Sequence, residues 1–479
     1  MSHDVAAQET SRGHTAPDWV ILSIACIAQF MVVLDVSVVN VALPRMGRDL
    51  HFSLSSAQWV VNAYVLTFAG FLLLGGRAAD LFGRRHVYLA GLGLFTVASV
   101  GAGFAATGQQ MIAIRAVQGI GGAILSPATL TIIVTTFRGP RLPKAIGAWS
   151  AVAGAGGAVG GLLGGVLTGW VSWRWVFFIN VPIGLLAGVA ALLYLREMRV
   201  QGAVTRLDVT GAVLVTGGLA SVIYGVVNTT THAWSSVTTL AWLLGGLALL
   251  GAFVGWEARV ATFPLVPFRI FRSRPVSGAN AIMVLVGGVF FAMWYFLTFY
   301  FQYVLRYGPV KAGVAFLPMA IAIIGGAQIS SRLLHRTGVR PILQVGAALA
   351  TIGFWWISLI SPDGAYWSDV FAPSVLCAFA MGLLFAPLAT AATWGVDRAD
   401  AGLASGLLNT ARQVGGSLSL AILGTVAADR TLSALRHATA AVAQVDGYQR
   451  AFQISAIVTF VALVVTLSIP RQIGRPTAQ

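Results

Sequence analysis

The sequence predicts an all-α polytopic membrane protein with fourteen transmembrane helices, and three features predict it. Hydrophobic residues make up 57% of the 479 and charged residues only 9%, where a soluble chain carries about a quarter. Apolar runs near 20 residues long, the length that crosses a bilayer as a helix, follow one another along the whole chain. Short arginine-bearing segments separate those runs. A membrane β-barrel would instead show alternating segments of about 10 residues.

In order, the spans fall near residues 19–43, 56–76, 86–106, 109–131, 144–169, 174–195, 208–228, 237–256, 276–305, 309–331, 340–360, 367–392, 403–427 and 451–470. The polar segment 1–18 before them holds acids as well as bases, and the first apolar run lacks a small-residue cleavage site, so no removable signal peptide is expected. Cys26 and Cys377 both lie in apolar runs and suggest neither a disulfide framework nor a metal site.

Orientation follows from the basic residues. With the N-terminus cytoplasmic, inner loops and tails hold twenty Lys/Arg and outer loops eight. The excess places both termini, including the tail 471–479, on the cytoplasmic side of the inner membrane. The formal net charge of +15 is spread over these loops and forms no basic stripe, so lipid headgroups are the expected partner and nucleic acid is not.

The chain also repeats itself. Gly147, Gly156, Gly157 and Gly165 recur 259 residues later as Gly406, Gly415, Gly416 and Gly424. Arg77, Gly83 and Arg85 recur 255 residues later as Arg332, Gly338 and Arg340. The repeats divide the protein into parallel halves, 19–200 and 261–470, with two helices inserted at 201–260. Repeated halves with a site at their midplane interface are a transporter architecture.

Two charges remain inside spans beside one acid. Asp35, in VVLDVSVVN (32–40), is the single charge between Trp19 and Leu43. A carboxylate there costs roughly 3 kcal/mol on insertion scales. Asp35 lies about 12 Å from the outer end of span 1 and Arg115 about 9 Å from that of span 4, at ~1.5 Å per residue. The depths match, and opposite charges in a bilayer pair. The pair is either a static strut or a proton-coupling device in which a proton, or a cationic substrate, displaces Arg115 from Asp35. No other acid lies mid-span, which disfavours strongly dicationic substrates. Arg412, in NTARQ (409–413), is the third intramembrane charge; backbone carbonyls, an anionic substrate group and a lipid all remain open as its partner.

The other motifs have separate physical roles. GRAADLFGRR (76–85) combines Gly76 and Gly83, which allow a tight turn, with Asp80, suited to a helix N-terminus, and with Arg77, Arg84 and Arg85. In span 5, Gly156, Gly160, Gly161, Gly164 and Gly165 form overlapping small-xxx-small spacings for close helix contact. Span 9 carries FFAMWYFLTFYFQY (290–303), whose Phe291, Trp294 and Tyr295 suit a wall for hydrophobic cations. Candidate cavity residues are these three with Asn40, Asn62, Gln118, Asn409 and Arg412. No phosphate-binding Gly-x-x-x-x-Gly-Lys-Ser/Thr exists, since the two lysines are Lys144 and Lys311, and no His-Glu-x-x-His exists. An ATP-driven pump, a resident metal and an enzyme are therefore not expected.

These motifs resemble the major facilitator superfamily and, within it, the fourteen-helix drug:proton antiporters. LDVSVVNVALP (34–44) is similar to that family's first-helix signature, GRAADLFGRR to the superfamily's loop between helices 2 and 3, RAVQGIGGA (115–123) to its fourth-helix motif, GAGGAVGGLLGG (154–165) to its antiporter motif, and WRWVFFINVPIG (173–184) to a further family stretch. Two departures stand out: Gly161 occupies a position where the family often has proline, and His335 stands where the second copy of the loop motif would repeat Asp80. The resemblance implies the major facilitator fold of two six-helix bundles plus two inserted helices. It implies a cofactor-free carrier, driven by the proton gradient and functional as a monomer, that exports hydrophobic, often cationic drugs or antibiotics. Export of one endogenous metabolite, or uptake by proton symport, are the alternatives.

Overall fold

In a lipid core every backbone N–H and C=O must be paired within the chain, which leaves helices as the spanning element for these apolar runs. The computed structural model describes residues 17–52, 54–137, 141–195, 197, 207–229, 232–396, 401–470 and 473. Among them there is no strand. Residues 1–16, 471, 472 and 474–479 of the expected tails, and the basic residues Arg12, Arg138, Arg196, Arg199, Arg206, Arg398, Arg471 and Arg475, lie outside the described residues.

A helix stands at each of the fourteen expected positions. They are α1 (Asp18–Asp49), α2 (Leu54–Phe82), α3 (Arg84–Gly103), α4 (Gly108–Thr136), α5 (Arg141–Val166, prolonged by a π turn Leu167–Val171), α6 (Trp175–Tyr194), α7 (Val209–Asn228), α8 (Val237–Arg259), α9 (Arg274–Val304, its last turn π), α10 (Pro309–Ala315 and Leu317–Thr337), α11 (Val339–Ile357), α12 (Tyr366–Thr393), α13 (Ala401–Ala434) and α14 (Ala440–Val465). Eleven of them are long and apolar enough to cross a membrane; α5, α11 and α13 are the exceptions among the described residues. Several outrun their apolar cores. α1 continues through Pro44 to Asp49, and α14 begins eleven residues before its apolar run, because hydropathy marks the lipid-facing part of a helix and not its ends. Side chains cap three starts: Thr107 accepts from Gln110 N, Asp208 from Gly211 N and Ser236 from Thr239 N.

The packing repeats with an interval of eight helices. α1 packs on α5, α2 and α3 on α4, and α3 and α1 on α6; likewise α9 packs on α13, α10 and α11 on α12, and α11 and α9 on α14. Gly83 and Gly338 occupy matching turns, each with positive φ (93° and 80°), a conformation that glycine adopts without a Cβ clash. Pro127 in α4 and Pro387 in α12 likewise lie inside matching helices.

The halves meet along two seams, α2 with α13 and α5 with α10. α7 covers the first seam and pairs with α8, whose apolar surface is mostly outward-facing. At the end of the bundle opposite Gly83 the halves are tied by Gln302 Nε2 donating to the Val41 carbonyl (2.8 Å) and Tyr303 OH to that of Pro44 (3.3 Å). At the Gly83 end, Arg77 donates to the Pro264 carbonyl in the connection before α9 (2.6 Å).

Candidate functional site

Asp35 lies on α1 inside the N-terminal bundle and is fully buried. Its carboxylate is enclosed by donors from two other helices. Arg115 Nη1 reaches Oδ2 at 2.5 Å, while Gln118 Nε2 (2.8 Å) and Asn180 Nδ2 (3.0 Å) reach Oδ1. Arg115 and Gln118 stand three residues apart on α4 and therefore share a face; Arg115 Nη1 also donates to Gln118 Oε1 (2.7 Å). Arg115 Nε donates to the Val60 carbonyl (3.3 Å), and its guanidinium lies 4.2 Å from the centre of the Tyr64 ring. Ser99 Oγ on α3 accepts from both Gln118 (2.8 Å) and Asn180 (3.2 Å) and donates to the Phe95 carbonyl (2.9 Å). Five helices thus converge on one carboxylate.

The glycines of RAVQGIGGA make this convergence possible. A methyl at Gly121 would stand 2.7 Å from Phe95 N, and one at Gly122 3.0 Å from the Phe68 ring and the Tyr64 hydroxyl. α4 therefore comes close enough to α2 and α3 for Arg115 to lie over Tyr64 and for Gln118 to reach Ser99. Asn180 comes from the INVP stretch of α6 and, like Ser99 and Tyr64, was not among the candidates drawn from the sequence. Its signal was present: an amide in an apolar run, inside a motif-like stretch. Gln118, expected on a cavity wall, instead belongs to this enclosed cluster, with no exposed surface.

The span-5 glycines divide into two faces. Gly156, Gly160 and Gly164 lie against α1, where a methyl at Gly164 would be 2.8 Å from the Val38 carbonyl. Ser37 Oγ donates to the Gly157 carbonyl on the same contact (2.7 Å). Gly161 and Gly165 face α10 of the other half: Cβ positions there would lie 3.7 Å from Phe316 Cβ and 3.1 Å from Val310 Cα. One motif thus serves both the packing of its own bundle and the seam between bundles.

In the loop motif, Gly76 is in ordinary contact with Pro127 of α4. Arg77 reaches the Pro264 carbonyl, and Arg85 Nη2 that of Leu192 (2.8 Å). Glu197 sits beside Gly83 and pairs with His86, and Arg84 is buried. The side chain of Asp80, like that of His335, lies outside the described residues.

The remaining candidates are dispersed. Asn40 and Asn62 are buried, and neither Asn40 Oδ1 nor either amide atom of Asn62 has a hydrogen-bond partner. Trp294 is partly buried and stacks on Phe316 (4.7 Å between centres), joining α9 to α10. Tyr295 is buried against Phe299 (4.7 Å) and Phe296 (5.5 Å), inside the C-terminal bundle. Phe291 lies beside Gly416 of α13, and Arg412 Nη2 donates to Asn409 Oδ1 (2.8 Å) one turn below. Among the described residues no group of three or more His, Cys, Asp or Glu is placed to hold a metal.

Comparison with known proteins supports the fold. The family model described as Major Facilitator Superfamily matches residues 25–420. The chain is 45% identical over 426 residues to the cephamycin export protein CmcT of Amycolatopsis lactamdurans, covering 88% of this chain and 87% of that protein. It is 39% identical over 435 residues to the puromycin resistance protein pur8 of Streptomyces alboniger, covering 90% and 86%. Among solved structures, a bacterial homologue of the human lysosomal transporter Spinster, inward-facing and occupied, superposes with a TM-score of 0.69 at 15% identity, covering 98% of this chain and all of that one; at that identity the likeness concerns the fold.

Proposed function

This chain belongs to the Major Facilitator Superfamily, and on that premise we propose that it exports antibiotic-like small molecules across the cytoplasmic membrane in exchange for protons, with Asp35 carrying the proton. The observation behind the reading is the enclosure of the Asp35 carboxylate by Arg115, Gln118 and Asn180. Protonation of Asp35 removes the charge that holds Arg115. The guanidinium then keeps the Gln118 and Val60 oxygens and the Tyr64 and Phe177 rings, so α1 and α4 lose their strongest link. Proton uptake and helix repacking become one event, which is what coupling a gradient to alternating access requires. The Gly83 end faces the cytoplasm, the chain needs no cofactor, and one copy suffices. Gly161 and Gly165 supply a smooth contact along which the halves rock, and the 76–85 loop latches α2 to the connection before α9 through Arg77.

Relatives named for single antibiotics favour a narrow substrate choice over a broad one. Direction and substrate are tested together by comparing cells with and without the gene across an antibiotic panel, and by uptake into inverted membrane vesicles under an imposed pH gradient. The expected outcome is reduced susceptibility to at least one compound, with vesicle uptake abolished by a protonophore. Unchanged susceptibility throughout, or uptake that needs ATP and ignores the protonophore, contradicts the reading.

A further inference from the structure

Asp35 offers a ligand nothing in this arrangement: both its oxygens are occupied and the side chain has no exposed surface. Arg412 on α13 is different. Among the described residues no acid pairs with it, its one hydrogen bond goes from Nη2 to the neutral Asn409 amide oxygen, and its Nε is buried without a partner. A guanidinium has five N–H donors and no way to shed its charge, so most of its binding capacity is unspent in a region where an uncompensated charge is expensive.

Its position also suits a ligand. Arg412 lies on the α13 surface that packs on α9, next to the side that carries Asn409 and Gln413. Gly287 of α9 lies beneath it, where a methyl would be 3.1 Å from Arg412 Cγ. At 100° per residue, Asn409, Arg412, Gln413 and Gly416 lie on one side of α13. The opposite side, with Val414 and Leu418, is taken up by α2 and α7, while Gly406 and Gly424, bordering Gln413, lie against Leu73 and Gln58 of α2. Phe291, beside Gly416, adds an aromatic neighbour one turn further along. The internal repeat supplies no acid for this arginine: the positions matching Asp35 at the two repeat offsets are Phe290 and Trp294.

We propose that Arg412, with Asn409, forms the docking point for a carboxylate or similarly anionic group on the transported molecule, so that the preferred substrates are amphipathic anions and not cations. The proposal rests on the exporter reading above for its physiological meaning. A planar guanidinium pairs with a carboxylate through two parallel N–H···O bonds, Asn409 fixes its orientation, and the Phe291 side of the site receives the apolar part of the molecule. In the alternative expected from the sequence, a cationic substrate displaces Arg115 from Asp35; here the charge contact with the cargo is made at Arg412 instead.

The test uses full-length protein in nanodiscs and three fluorescent probes that share one apolar body: 1-pyrenebutyrate, its primary amide, and 1-pyrenebutylamine. Binding is measured for the wild type, Arg412→Gln, Arg412→Lys and Asp35→Asn, with thermal unfolding followed for each. The wild type should bind the carboxylate about tenfold or more tightly than the amide or the amine, the scale of one charge-assisted contact. Arg412→Gln should bind carboxylate and amide equally, Arg412→Lys should keep most of the preference, and Asp35→Asn should keep all of it. Equal or tighter binding of the amine by the wild type, binding of none of the three, or a preference that survives in folded Arg412→Gln overturns the proposal. Loss of coupling is read separately: if the carboxylate preference follows Arg412 but no probe drives proton movement in liposomes, the anion site stands and the proton-exchange reading falls.

Discussion

Arg115 and Arg412 are the two arginines at membrane depth, one in each half of the molecule, and their surroundings differ in kind. Arg115 meets a carboxylate, an amide oxygen, a backbone carbonyl and an aromatic face, all from its own bundle. Arg412 meets one amide oxygen from its own helix. The donors of the first are engaged within its own bundle, whereas among the described residues the second has donors left unengaged. Under the two proposals above, the N-terminal bundle handles the proton and the C-terminal bundle presents charge to the cargo.

That contrast is broken most severely at the carboxylate. Asp35→Asn is expected to lower proton-coupled export about 100-fold or more, the range for removing a positioned proton carrier, while Asp35→Glu retains a measurable fraction; vesicle uptake under a pH gradient checks both. Stability separates the two arginines next. Arg115→Met leaves a buried carboxylate without its counter-charge and should destabilise the protein by about 3–5 kcal/mol. Arg412→Met strands no acid and removes an uncompensated buried charge, so it should leave stability unchanged or raise it. Thermal unfolding in detergent reads the difference, and equal losses would erase the distinction. Asn180→Ala removes one neutral donor from the carboxylate and should cost about 1.5–3 kcal/mol, read by the same assay. At the seam, Gly165→Ala pushes a methyl into the Pro309 carbonyl oxygen and should cost about 1–3 kcal/mol. Gly157→Ala has no heavy atom within 4 Å of the new Cβ and should change stability by about 0.5 kcal/mol or less.

The sequence carried the fold in the places where one physical signal dominates. Apolar runs near 20 residues mark helices because the bilayer sets their length, and Gly83 and Gly338 mark the repeated turn because only glycine enters it without strain. Counting along α1 and α4 puts Asp35 and Arg115 at one depth, and the side chains are ion-paired. The rest of the cluster was not legible. Ser99, Tyr64 and Asn180 are neutral side chains on three different helices, and nothing in a single sequence says which face of a buried helix meets which neighbour. The same limit hid the enclosure of Gln118 and the burial of Tyr295 within its own bundle. Helix ends were equally illegible, since α1 and α14 run past their apolar cores where hydropathy has no bearing.

The most direct measurement of the central claim is proton release on substrate binding. Detergent-purified protein in weak buffer receives saturating amounts of a compound that the susceptibility panel identifies, and the pH change is recorded for the wild type and for Asp35→Asn. The account predicts a proton exchange of about one per protein molecule for the wild type and none for the variant, with both still binding the compound. The same proton signal from Asp35→Asn would show that another group carries the proton and that the Asp35–Arg115 pair is a strut.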